Sequence, residues 1–220
     1  MCGRFTITKP EAIKAEFNLR EEIDYPPRYN IAPSQTIPII KQDERGYYRP
    51  ALVRWGLIPF WAKDEKIAYK MINARAETLA EKPGFREAYR KRRCLIPADG
   101  FFEWQRIDGS KQPYYIRLKN KGLFTFAGLW EEWQGADGNI IESATIITTT
   151  ANRVIAKLHD RMPLIVDPTR RGTWLDLVAD PIHDLNFVKP CDPFKIVTYP
   201  VSRLVNNARL DAPGCIKKVG

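Results

Sequence analysis

Two hairpin signals in the middle of the chain limit its fold more than any other feature. Residues 101–107 and 114–119 are strand-like runs joined across Asp108-Gly109. Residues 123–133 and 140–150 are joined in the same way across Asp137-Gly138. An Asp-Gly pair tolerates the positive φ that a tight hairpin turn requires, so runs of this kind pair with their neighbours in sequence. Further strands are predicted at residues 36–41, 51–55, 164–166 and 195–201, with residues 2–8 as a short extended start. Thr8-Lys9-Pro10-Glu11 has the form of a capping box, with Thr8 as N-cap of a helix to about Leu19 whose inner face carries Ile13 and Phe17. Residues 85–92 and 154–158 are predicted to be helical, and Asp167-Pro168 opens another helix with Trp174 turned inward. Residues 20–36 and 56–73 read as long irregular loops, a length often associated with function. The expected class is α+β, a mainly antiparallel, barrel-like sheet with peripheral helices.

No internal repeat, low-complexity stretch or Gly/Ser linker divides the 220 residues, so a single domain over 1–220 is expected, with a disordered tail at Lys217–Gly220. No run of about 18 apolar residues marks a membrane helix. The first residues lack the apolar core of a signal peptide, which points to the cytoplasm. Lys and Arg number 35 against 26 acidic residues, a formal charge of +9. That excess favours a polyanionic partner such as nucleic acid, although a merely basic protein fits the charge equally well. The densest cluster, Arg86–Arg93, reads as a solvated helix face. The four cysteines, Cys2, Cys94, Cys191 and Cys215, form no C-x-x-C pair, and the two histidines, His159 and His183, are far apart. Neither a metal site nor a disulfide framework is expected, and no cofactor is called for.

Cys2 is the most informative position for chemistry. Removal of Met1 would leave a 1,2-aminothiol, with an amine of pKa about 7.7–8.0 beside a thiol of about 8.5. The amine can condense with an aldehyde to an imine, and the sulfur can close a five-membered thiazolidine. An internal cysteine cannot do this, because its nitrogen is an amide. Position alone favours an incidental cysteine near a frayed terminus. Glu103 stands among Phe101, Phe102 and Trp104. Burial there would raise its pKa, whereas plain strand alternation would turn it to water. His159, beside Pro163, suits an acid–base role or a structural one. Asn73 offers an amide to orient a nucleophile, and Arg75 a fork for a phosphate. A Cys, His and Asn set also permits a cysteine hydrolase, including a peptidase of the N-terminal-nucleophile type. Trp104, Trp130, Trp133 and Trp174 read as packing residues, while Tyr29, Trp55 and Phe60 lie in or beside the loops that could bracket a ligand.

Several segments taken together resemble the SRAP family of abasic-site processing proteins. They are residues 1–5, 28–33, 51–56, 72–77, 94–104, 158–163 and 200–203, in order over a core of 2–207. The resemblance implies a single SRAP-type domain that removes its own Met1. It would then use Cys2 to form a covalent thiazolidine with the ring-opened sugar of an abasic site in single-stranded DNA, shielding the lesion. It implies roles for Asn73 in orienting Cys2 and the sugar, for Glu103 in proton transfer at the α-amine and in reversal, and for His159 in ring opening. Arg4, Pro33, Trp61, Arg75 and Thr148 are the implied DNA contacts. The paired tryptophans of some bacterial members are replaced here by Phe60-Trp61-Ala62, so stacking by Trp61 is the weakest of these assignments. Replication-fork proteins are candidate partners, association with the nucleoid is expected when DNA is bound, and no feature calls for anything but a monomer.

Overall fold

A computed structural model of the protein describes residues 2–184 and 187–220. Its strands are β1 (Phe5–Ile7), β2 (Arg28–Ile31), β3 (Thr36–Gln42), β4 (Tyr48–Trp55), β5 (Asn73–Arg75), β6 (Arg93–Ala98) and β7 (Gly100–Ile107). They continue with β8 (Ser110–Leu118), β9 (Phe124–Gln134), β10 (Ile140–Thr150), β11 (Arg161–Pro163), β12 (Ile165–Val166) and β13 (Ile196–Pro200). The helices α1 (Ala12–Glu16), α2 (Arg86–Lys91) and α3 (Arg171–Leu175) are short and peripheral. The expected class therefore holds. One sheet closes on itself, because β10, β4, β3, β6 and β9 pair in turn and β9 pairs again with β10. The other is an antiparallel sheet in the order β13-β8-β7-β1-β2.

Both predicted hairpins form. At the first, Asp108 and Gly109 adopt φ of 46° and 76°, the double positive φ of a type I′ turn. The core lies where the two sheets face each other. Phe5 meets Trp55 at 5.1 Å and Phe126 at 5.8 Å between ring centroids, and Phe101 meets Phe126 at 6.1 Å, all near edge-to-face. Each such ring, fully buried, contributes about 1.5–3 kcal/mol through apolar area alone.

β10 organises the barrel. β4 runs parallel to it at Ser143 and Ala144, and β5 runs parallel along the same strand at Ile146–Thr148. Between β4 and β5 the chain makes an excursion that opens at Gly56, whose φ of 123° few other residues could adopt. A Cβ there would stand 2.7 Å from the Ala68 carbonyl. The excursion returns at Ile72, where the Trp55 indole donates to the Ile72 carbonyl at 2.9 Å. This detour delivers Asn73 to the barrel edge.

Several local expectations are corrected. Thr8 does not cap α1. Its hydroxyl and backbone N–H both go to the Asp99 carboxylate, at 2.6 and 2.5 Å, and the helix begins four residues later. A tertiary acceptor has outbid the local cap. Residues 20–36 are not one irregular loop, since they contain β2. The Arg86–Arg93 cluster is not a uniformly solvated face. Arg93 starts the buried strand β6, and its guanidinium lies over Tyr89 and Trp174 at 5.0 and 5.7 Å. Trp55 is a core residue, not a loop platform. The tail is paired: Lys218 bridges to Val201, and Val219 N–H donates to the Pro200 carbonyl at 3.0 Å. Among the described residues no helix is long and apolar enough to cross a membrane.

Candidate active site

The site is built at the open end of the β1–β7 pair. Phe5 is opposite Phe101, and Phe102 N–H donates to the Arg4 carbonyl at 3.0 Å, so Cys2 and Gly3 run on beside Glu103. Cys2 has no exposed surface, and its thiol makes a 3.8 Å contact with the Arg4 carbonyl. Burial and, after it, the nearby Glu103 carboxylate push the thiol pKa well up, so the sulfur is held protonated.

Asn73 reaches Cys2 from the barrel side. Its Nδ2 donates to the Cys2 carbonyl at 2.8 Å. Alternation along β5 sends Asn73 and Arg75 to one face and the buried Ala74 to the other, and Arg75 is exposed. Glu103 sits on β7 with 2% of its surface exposed. Burial raises its carboxyl to about 7, so it exchanges protons near neutrality. The alternative of a water-facing Glu103 is thereby removed.

His159 closes the 3-10 turn at Ile155–Lys157 and is about one-third exposed on its side chain. Partial burial lowers its pKa. Its Nδ1 accepts from the Arg161 backbone N–H at 3.0 Å, which places the proton of the neutral ring on Nε2. Asp160 lies 2.8 Å from the same nitrogen and becomes its partner on protonation. Arg161 holds the base of the site together. It forks onto Glu77 at 2.7 and 2.8 Å and donates to the Thr148 carbonyl at 2.7 Å.

Arg4, Glu103 and His159 share one pocket of about 700 Å³, walled also by Trp104, Gln105, Arg106, Lys111, Lys157, Leu158 and Asn206. The four expected catalytic groups therefore converge. The expected DNA contacts are more scattered. The Arg4 guanidinium lines the pocket but is also held by Asn30 Oδ1 at 2.8 Å and the Val205 carbonyl at 2.6 Å. Pro33 is partly exposed in the turn that precedes β3, next to Ser34 at φ 73°. Trp61 is half-exposed, its indole donating to the Pro83 carbonyl at 3.3 Å, and Phe60 beside it is exposed. Thr148 is fully buried and donates to the Ala74 carbonyl at 3.2 Å. Its hydroxyl therefore supports β5 and is not presented at the surface. Trp104 was read as packing, yet it forms part of the pocket wall, with its indole fixed by Asn206 Oδ1 at 2.8 Å. Among the described residues no group of three His, Cys, Asp or Glu is placed to hold a metal, and all four cysteines are free.

A closed barrel joined to a second sheet, with a cysteine and a carboxyl buried at their junction, defines the class. The family model described as SOS response associated peptidase (SRAP) matches residues 1–208, and the chain belongs to that family. Among its relatives, the abasic site processing protein YoqW of Bacillus subtilis is 46% identical over 223 residues, covering 99% of both chains. The abasic site processing protein HMCES of Xenopus tropicalis is 33% identical, covering all of this chain and 78% of that protein. A crystal structure of a protein from Bacteroides thetaiotaomicron superposes with a TM-score of 0.89 at 27% identity, over 99% of this chain and all of the other.

Proposed function

We propose that this protein processes abasic sites in single-stranded DNA by forming a covalent thiazolidine through Cys2 after Met1 has been removed. The observation that carries the reading is the convergence of Asn73 and Glu103 on Cys2 at the edge of a pocket that also holds His159. Relatives named for abasic-site processing support the substrate class.

The chemistry balances without a cofactor. The α-amine adds to the aldehyde of the ring-opened sugar, and loss of water gives an imine. The sulfur then adds to the imine carbon and its proton passes to the imine nitrogen, for a net loss of one water. Glu103, with a pKa of about 7, accepts and returns protons at the amine and the sulfur. The neutral His159 ring, held at Nδ1 by the Arg161 N–H, offers its Nε2–H to the ring oxygen of the sugar as the ring opens. Asn73 holds the Cys2 carbonyl, which fixes where the amine points. Removal of Met1 belongs to the same proposal, with Glu103 as the proton carrier.

The test is a denaturing gel of the protein incubated with an abasic single-stranded oligonucleotide. A retarded band should form with the native protein and vanish in Cys2→Ala. An unchanged band in that variant would refute the role of Cys2. Turnover of unrelated peptides, with no crosslink, would favour a peptidase acting on other chains.

A further inference from the structure

On the outer wall of the barrel, Arg93 is a buried cation without a counter-charge in contact. It opens β6 with 4% of its surface exposed. Its guanidinium lies against the Tyr89 and Trp174 rings, and Nη2 donates to the Ala179 carbonyl at 2.8 Å. Nε and Nη1 are buried and have no hydrogen-bond partner among the described residues. Arg93 also makes no ion pair among them. Asp176 and Asp180 act on it from beyond ion-pair distance, because Asp180 is taken up by Tyr89 and His183 and Asp176 accepts from the Val178 N–H. A buried charge and two buried donors left in this state are costly, so a partner is expected.

A pocket of about 200 Å³ lies against Arg93. Lys41, Arg49 and Lys91 line it too, and Asp43 is the one carboxylate in its wall. Lys41 and Arg49 stand directly opposite each other across β3 and β4, where like charges repel. Lys41 and Lys91 pair with Glu142 and Glu87, neither of which lines the pocket, and Arg49 pairs with Asp43. Four cations against one carboxylate leave the wall positive. Its volume falls below the roughly 300–1,000 Å³ of a drug-sized pocket and is several times the roughly 30 Å³ of one water. A small oxyanion fits that space and a nucleotide does not. The pocket shares no residue with the one beside Cys2.

We propose that this pocket binds a phosphoryl oxyanion, either inorganic phosphate or the phosphate of a small ester, with Arg93 at its base and Lys41, Arg49 and Lys91 around it. A phosphate presents several acceptors at once, so one ion serves the Arg93 donors and the ammonium groups together. Leu177, half-exposed, and the Trp130 ring form an apolar flank on which a short organic group rests. The ion ties β3, β4, α2 and β6 to the segment after α3, which Arg93 already grips at Ala179. Because the unfolded chain lacks such a site, its occupation stabilises the folded state.

The experiment titrates the intact protein with inorganic phosphate and, separately, with methyl phosphate, chloride keeping the ionic strength constant. The Trp130 indole N–H, assigned by its loss in Trp130→Phe, reports the pocket in proton–nitrogen NMR spectra. A saturable shift is expected, half-complete at or below about 1 mM, together with a rise in Tm that chloride does not give. Arg49→Ala/Lys91→Ala should weaken binding by about tenfold or more, and Arg93→Met should abolish it. If Arg93→Met does not fold, the double variant decides alone. Added single-stranded DNA should leave the shift in place, which separates this pocket from phosphate sites near Cys2. Methyl phosphate binding as tightly as phosphate assigns the ester, and weaker binding assigns the free ion; both support the proposal. A shift that does not saturate, that persists undiminished in the double variant or that DNA displaces would overturn it. The crosslinking gel is unaffected by any of these outcomes.

Discussion

Replacing Glu103 by Gln tests the buried carboxyl without reference to DNA. The change keeps the side-chain shape and removes the charge. Burial raises the Glu103 pKa from 4.5 to about 7 in the folded state. The folded protein thus holds this proton more tightly than the unfolded chain does. The sign follows: the stability cost of Glu103 is absent below about pH 4.5, grows as the pH rises, and is complete above about 7. At about 1.4 kcal/mol for each pKa unit, the cost is just under 1 kcal/mol at pH 5 and about 3 kcal/mol at pH 8. Glu103→Gln carries no such cost, so its stability relative to the native residue should improve by about 2–2.5 kcal/mol between pH 5 and pH 8. Urea unfolding of both proteins at the two pH values measures this, with Met1 retention checked by intact mass. Taking the difference between variants cancels other titrating groups. An equal gap at pH 5 and pH 8 would mean that Glu103 ionises like a surface carboxylate, and the assignment of proton transfer to it would fall.

Other expectations follow from named contacts. Asn73→Ala removes the hydrogen bond to the Cys2 carbonyl and should slow crosslinking by about tenfold while shifting stability by about 1 kcal/mol, as read by single-turnover gels and thermal unfolding. Because burial lowers the His159 pKa, its ring is neutral at pH 7, and crosslinking should decline as the pH falls through that lowered value, where a proton on Nδ1 breaks the bond from the Arg161 N–H that orients the ring. His159→Gln should abolish this acid limb of the pH–rate profile. Gly100→Ala would place a Cβ 2.1 Å from the Tyr115 hydroxyl and should cost about 2–3 kcal/mol in urea unfolding, against little change for Gly109→Asn at the hairpin turn.

The elements that the sequence made legible are those whose signals are local. Asp108-Gly109 marks its hairpin because the required φ values are a property of the turn residues themselves. Asp167-Pro168 opens its turn for the same reason, with the Asp167 carboxylate accepting from Thr169 N–H. Thr8 misled because its partner, Asp99, is distant in sequence and outcompetes the helix N-terminus. β6 was hidden because every residue in it is buried, which erases the alternation that identifies a half-exposed strand, and because its first residue is an arginine. At the site, Cys2, Asn73, Glu103 and His159 could be named from motifs. That Asn73 reaches the Cys2 backbone and not its sulfur, and that Thr148 lies beneath β5, depends on how β10 gathers distant strands. The C-terminal segment was opaque for a related reason. No local signal assigns structure to residues 204–216, but Asn30 donates to the Val205, Asn207 and Leu210 carbonyls and Arg28 pairs with Asp211.

The grip of that segment on Arg4 has a consequence in time. The Val205 carbonyl that fixes the guanidinium is synthesised 201 residues after Arg4. At about 5–20 residues per second, a growing chain carries its amino terminus for about 10–40 s before this acceptor exists. During that interval the Cys2 end of β1 has left the ribosome without the wall that encloses it. The pocket therefore becomes complete only near the end of translation, and truncated products carry Cys2 without the wall that encloses it.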